Sequence, residues 1–374
     1  MFVSRNLGVR DCCIDAFRGL AIIGMILVNH APPTTNIYGF LTHAPWVGWT
    51  IADTIFPAFL FLVGISISYA FKNVGHTEGI IPHSKIVRRS ASLILISILL
   101  VNFPYYDLAT LKIHGTLTRI GYSYFFASMF AWYMGWKGQL GIVIGILFTQ
   151  WWFLTQFNVP GFGSGIFTLE ANASGYLDKL LLGGIAERFV LNGPVIQGLL
   201  PSAAAIASTL IGVLAGRWLQ SQSDFDKKVN GLFAIGLVLF FGGSAWGVVL
   251  PISKPLWTAS YVVLMAGISL QILALIYWLM ERREFSCIGK LLQIAGVNAL
   301  FFYVFAQSVQ RILVYGRVGN PDGSSTRLRY LIYENWVEPW VPGKFGALLY
   351  ALCFLSLCYL VVYALYRRKI FIKL

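Results

Sequence analysis

The sequence predicts an all-α integral membrane protein: about ten transmembrane helices in a single transmembrane domain over residues 1–374, with both termini cytoplasmic. Three observations predict it. Hydrophobic residues make up 57% of the 374-residue chain and charged residues only 11%, against about 25% charged in an ordinary soluble domain. Apolar stretches of bilayer-crossing length, about 20 residues, recur from end to end. The 28 Lys and Arg outnumber the 15 Asp and Glu for a net charge of +13, and most of them gather in alternate connecting segments, as cytoplasmic loops do. In a soluble chain such an excess would point to nucleic acid; here the expected partner is the lipid bilayer, and no nucleic acid.

The candidate spans fall at 14–28, 51–71, 86–101, 117–134, 140–154, 195–219, 232–250, 256–280, 291–313 and 345–366. The first is short and carries Asp15 and Arg18, which share a helix face at i and i+3. It lacks a small-residue cleavage site and is not read as a signal peptide. An even number of spans puts both termini on one side, and Arg367, Arg368, Lys369 and Lys373 mark that side as cytoplasmic. Lys72, Lys85, Arg88 and Arg89 fall there too, as do Arg217, Lys227, Lys228, Arg282, Arg283, Lys290, Arg5 and Arg10. Segments 30–49, 156–194 and 315–343 then lie outside, with His30, His43, Trp46, Trp49, Glu170, Asp178, Glu187 and Glu334.

Cys12, Cys13, Cys287, Cys353 and Cys358 lie in spans or on the cytoplasmic side, so no disulfide framework is expected, and no His/Cys spacing suits a metal. Small-residue spacing at Gly141/Gly145 and Gly212/Gly216 is read first as internal helix packing, with a homodimer contact as the alternative.

Ionisable groups at membrane depth need a reason. Asp15 and Arg18 form either a self-neutralising anchor or a cytoplasmic anion site. His43 sits among Trp46 and Trp49 with Asp53 ten residues on. Thr50 to Asp53 has capping-box spacing for a helix start, which explains Asp53 structurally; an imidazole oriented by a carboxylate is the functional alternative. Asn29 and Asn298 are either interhelical glue or substrate contacts. Arg119 calls for a carboxylate partner among Asp53, Asp107 and Asp178. Lys254 reads as an ordinary turn residue. Spacing alone leaves enzyme and transporter both open.

Asp15-Ala16-Phe17-Arg18-Gly19 followed by Met25 to Asn29, the block from His43 through Trp46, Gly48 and Thr50 to Asp53, and Phe56-Pro57 onward together resemble the heparan-α-glucosaminide N-acetyltransferase family, which includes bacterial NagX-like membrane proteins. The likeness continues through Arg119-Ile120-Gly121, Gly212 to Gly216, Leu256-Trp257 to Ser260-Tyr261, Asn298 with Tyr303, and Tyr366 to Phe371. It implies transfer of acetyl from cytoplasmic acetyl-CoA to the amine of a glucosamine terminus outside. His43 would be the functional histidine, with Asp53 and Asn29 assisting. CoA phosphates would meet cytoplasmic cations among Arg18 (with Asp15), Arg88, Arg89, Lys290 and Arg368. Acceptor contacts would come from Trp46, Trp49, Arg119, Lys254, Trp257, Ser260, Asn298 and Tyr303. Lys112-Ile113-His114-Gly115, Thr118, Ala306 and Gln307 depart from the family pattern, all bearing on the acceptor. An envelope glycan hydroxyl is therefore an alternative acceptor, and an amino-sugar transporter the alternative function. The resemblance also implies a bacterial inner membrane.

Overall fold

The computed structural model describes residues 12–32, 37–72, 83–184, 198–222, 224–281, 286–319 and 324–372. Arg5, Arg10, Glu187, Arg282, Arg283, Lys373 and the 195–197 start of the sixth expected span lie outside them.

Helices dominate: α1 (Cys12–Asn29), α2 (Ile51–Phe71), α3 (His83–Asn102), α4 (Thr116–Tyr133), α5 (Trp136–Gln156), α6 (Ala173–Leu182), α7 (Leu199–Ser221), α8 (Phe225–Trp246), α9 (Ala259–Glu281), α10 (Ser286–Val297), α11 (Ala299–Tyr315), α12 (Leu328–Trp336) and α13 (Gly343–Arg367). A hairpin of β1 (Arg317–Gly319) and β2 (Ser325–Arg327) precedes α12.

Among the described residues, α1, α2, α5, α7, α8, α9 and α13 are long and apolar enough to cross a membrane. The ninth expected span is not one straight helix. It breaks at Asn298 into α10 and α11, bent by 74°, and the pair passes as one further span. The third and fourth expected spans form as α3 and α4 but are more polar. Lys85, Arg88 and Arg89 occupy the start of α3, and α4 carries Arg119 with several hydroxyls. Polar helices at this depth need protein around them, and α3 packs on α4, which packs in turn on α2 and α7.

The inner helices are α1, α2, α7 and α9, which bury half or more of their apolar windows, while α8 buries 17% and faces outward. Small residues let α2 and α7 approach closely. A Cβ on Gly212 would sit 2.0 Å from the Phe61 carbonyl oxygen, so this pair serves internal packing, as expected. Gly141 and Gly145 have nothing within 4 Å and play no such part. The core runs along the inner helices, from Ile22 and Ile26 through Leu60 to Leu210 and Val213.

Candidate active site at one end of the bundle

Two features of the α2 start converge on one carboxylate. Asp53 is fully buried. Its Oδ2 accepts hydrogen bonds from the Thr50 amide (3.1 Å), the Thr50 hydroxyl (3.2 Å) and the Ala44 amide (3.0 Å), closing the capping box. Its Oδ1 lies 2.8 Å from His43 Nδ1 and 3.1 Å from Lys254 Nζ. One carboxylate oxygen therefore serves the helix cap and the other meets His43 and Lys254. Tyr261 fixes the backbone from α9, its hydroxyl donating to the Asp53 carbonyl at 2.7 Å.

Nδ1 of His43 is also 3.1 Å from Lys254 Nζ. With Nδ1–H donating to the carboxylate, Nε2 keeps its lone pair; the ammonium then belongs to Asp53. Burial pulls Lys254 below the ordinary lysine range, while Asp53 beside it pulls the other way. The His43 side chain is 41% exposed, Lys254 22% and Asp53 0%, so the imidazole faces an opening with its neighbours sunk behind it.

The turn that delivers Lys254 is built by backbone capture. Gly48 N–H donates to the Ile252 carbonyl (2.7 Å), Ser260 to the Leu250 carbonyl (2.8 Å), and Gln150 from α5 to the Leu256 and Trp257 carbonyls. Trp257 adopts φ 49°, a left-handed conformation costing about 1 kcal/mol or more. It is held by complete burial, a 3.1 Å bond to Ser208 and edge contacts with Phe56 and Tyr261. The Arg119 guanidinium lies 4.8 Å over its ring.

These groups line a cavity of about 330 Å³ at one end of the bundle, with Met25, Val28 and Asn29 from α1, Ala52, Ile55 and Phe56 from α2, and Thr116 and Arg119 from α4. Of the residues expected here, His43, Asn29, Arg119, Lys254 and Trp257 line it. The rest sit around it. Trp46 donates to the Phe167 carbonyl, tying two connecting segments together, and Trp49 is exposed. Ser260 holds the turn, and Tyr303 bonds Thr116 behind the cavity wall. Arg119 has no carboxylate partner among the described residues. Asp53 is filled by other donors, Asp107 bonds Ala109 and Thr110, and Asp178 accepts from the Leu199 amide.

At the opposite end of α1, α2 and α4 lies a cavity of about 1170 Å³. Asp15, Arg18 and Arg89 line it, as expected, together with Lys72 and Lys228, which stood in the sequence only as topology markers; Arg88, Lys290 and Arg368 do not. Arg18 pairs with Asp15 at 2.5 Å and donates to Ser66 at 3.0 Å, and Arg89 stacks 4.8 Å over Tyr124. Asn298 belongs to this end. Its side-chain amide donates to the Ile370 carbonyl (3.0 Å) and its oxygen accepts from the Ile372 amide (3.0 Å), seating Ile372 in the cavity wall.

The two cavities abut along shared helices: Phe56 and Arg119 line one, Phe59 and Ile120 the other. A family model described as heparan-alpha-glucosaminide N-acetyltransferase, catalytic, matches residues 10–245, which hold α1 to α8 and both cavities' shared walls. The chain belongs to that family. A heparan-alpha-glucosaminide N-acetyltransferase of Mus musculus is 27% identical, over 99% of this chain and 61% of its own length. One of Homo sapiens is 26% identical, over 78% of this chain and 52% of its own. The chain thus spans between about half and three-fifths of the length of these curated relatives. The family is one of transmembrane N-acetyltransferases. Its resemblance to this chain extends, through the mouse relative, past the matched residues to the Lys254 turn.

Proposed function

We propose that the chain transfers acetyl from cytoplasmic acetyl-CoA to the amine of glucosamine or a terminal glucosaminide on the other side of the membrane. One observation carries this reading: a basic cavity and a cavity holding His43 on Asp53 meet end to end along α1, α2 and α4. CoA carries several phosphate charges, which suit the end with Arg18, Lys72, Arg89 and Lys228. The acceptor amine suits the end with a base.

A glucosamine ammonium must lose a proton before it can attack a thioester. In the direct route, the neutral amine attacks the acetyl carbon, the C–S bond breaks, and His43 Nε2 takes the departing amine proton and passes it to the thiolate. In the covalent route, Nε2 attacks first, the thiolate leaves, and the amine then displaces the imidazole. Asp53 orients the ring in either route and stabilises the imidazolium. In this reading Asn29, which lines the cavity, donates to the acetyl oxygen as negative charge develops on it.

The same reading gives α3, α4 and the bent α10–α11 pair spans of their own within a ten-helix bundle in a bacterial inner membrane, both termini cytoplasmic. The test is thiol release by purified protein given acetyl-CoA with and without glucosamine. Acceptor-dependent release that requires His43 is expected. Release with glycans but not amines would move the acceptor to a hydroxyl, and no acceptor-dependent release would refute the proposal.

A further inference from the structure

The outer cavity contains more positive charge than its own carboxylate balances. Lys254 and Arg119 both line it, and Asp53 is the acid beside them. Asp53 is already saturated: Lys254 and His43 meet one oxygen, and the Thr50 amide, Thr50 hydroxyl and Ala44 amide meet the other. Arg119 is 3% exposed with the buried Tyr122 hydroxyl near it, and its Nε and Nη2 are within ordinary hydrogen-bond distance of no partner among the described residues. A buried guanidinium without a counter-charge is costly.

The geometry of the unmet donors is specific. Trp257 covers one face of the guanidinium, leaving the planar edge. Nε–H and Nη2–H point in parallel from that edge and match two oxygens of one carboxylate, sulfate or phosphate. A lone oxyanion on a reacting carbonyl would satisfy only one of them. Arg119 also sits in the first turn of α4, whose Gly115 and Thr116 line the same cavity, so the helix end adds a field of the same sign. At about 330 Å³ the space is at the small end of ligand pockets, enough for one sugar and its substituent.

We propose that Arg119 is the anion-binding fork of the acceptor site, and that the acceptor carries a carboxylate, sulfate or phosphate group beside the amine to be acetylated. This rests on the acetyl-transfer reading above and names its substrate class.

The experiment compares glucosamine, glucosamine 6-phosphate, glucosamine 6-sulfate and muramic acid, whose lactyl ether places a carboxylate near the amine. Thiol release gives kcat and KM for each, and calorimetric titration without acetyl-CoA gives acceptor affinity. Wild-type protein is expected to show a KM at least about tenfold lower for one or more anionic sugars than for glucosamine. Arg119→Gln is expected to erase that preference, raising KM for the anionic sugars to that for glucosamine. Arg119→Lys, which keeps the charge but not the fork, is expected to fall between them. Equal treatment of neutral and anionic sugars by wild-type protein overturns the proposal without needing any variant to fold. So does an equal fall in kcat on all acceptors in Arg119→Gln, which would assign Arg119 to the reacting carbonyl. If no sugar is acetylated, the transfer reading fails by itself. The titrations then decide the fork: Arg119-dependent preference for anionic sugars supports it, and its absence sinks it.

Discussion

His43 Nδ1 and Asp53 Oδ1 stand 2.8 Å apart, and the same carboxylate caps the first turn of α2 through its other oxygen. The reactive candidate is thereby indexed to a helix end. The cap that holds Oδ2 also sets where Oδ1 meets the imidazole, so fraying of the cap would release it.

Replacing His43 by Ala should cost transfer about 10²- to 10⁴-fold, the usual contribution of a general base. The side chain is 41% exposed, so thermal stability should stay within about 0.5 kcal/mol of wild type. Thiol release beside a melting curve checks both; full activity in the variant would remove His43 from the mechanism.

Asp53→Asn removes the counter-charge of a buried lysine and should destabilise the protein by about 3 kcal/mol. Adding Lys254→Met should restore part of that loss, giving a coupling energy of about 1–3 kcal/mol in a double-mutant cycle. Additive effects would mean that the 3.1 Å contact carries no energy.

Asp178 gives a pH signature. Its carboxyl is buried on α6 with one oxygen accepting from the Leu199 amide and the other without a partner among the described residues, and burial raises it from 3.8 to about 6. Between those values the folded state binds the extra proton. Its contribution to stability is therefore full below about pH 4 and lost as pH rises through 6. Asp178→Asn keeps the acceptor oxygen and should melt higher than wild type at pH 7.5, the gap closing by pH 4. A gap that does not change with pH would contradict this.

Asn298→Ala should free the segment at Ile370 and Ile372 from the break between α10 and α11. The expected result is a several-fold rise in KM for acetyl-CoA with acceptor KM unchanged, for about 1–2 kcal/mol of stability. An acceptor-side effect instead would return Asn298 to the acceptor site.

Much of this was legible in the sequence. Hydropathy located the long helices, and the Thr50–Asp53 spacing placed the carboxylate at the start of α2, with His43 as the alternative partner ten residues before it. The break at Asn298 was not legible, because residues 291–313 carry no proline and are apolar enough overall to read as one span. At the break Asn298 bonds the backbone at Ile370 and Ile372, more than 70 positions away. The role of Lys254 was hidden in the same way: its turn looks ordinary, and Asp53 lies some 200 residues earlier. Arg119 was expected to find a carboxylate, and only the donors around Asp53 show that none is left to offer.

The wall between the two cavities also has an electrical consequence. On α2 it spans little more than the turn from Phe56 to Phe59, about 5 Å of rise. If water fills the cavities on either side, the membrane voltage falls mainly across that septum. Carrying one elementary charge through it would cost or release about 2.3 kcal/mol per 100 mV. In the proposed transfer the group that crosses is a neutral acetyl, which needs no electrical work, whereas its polyanionic carrier stays on the side from which it came. Acetylation across the membrane would then not discharge it.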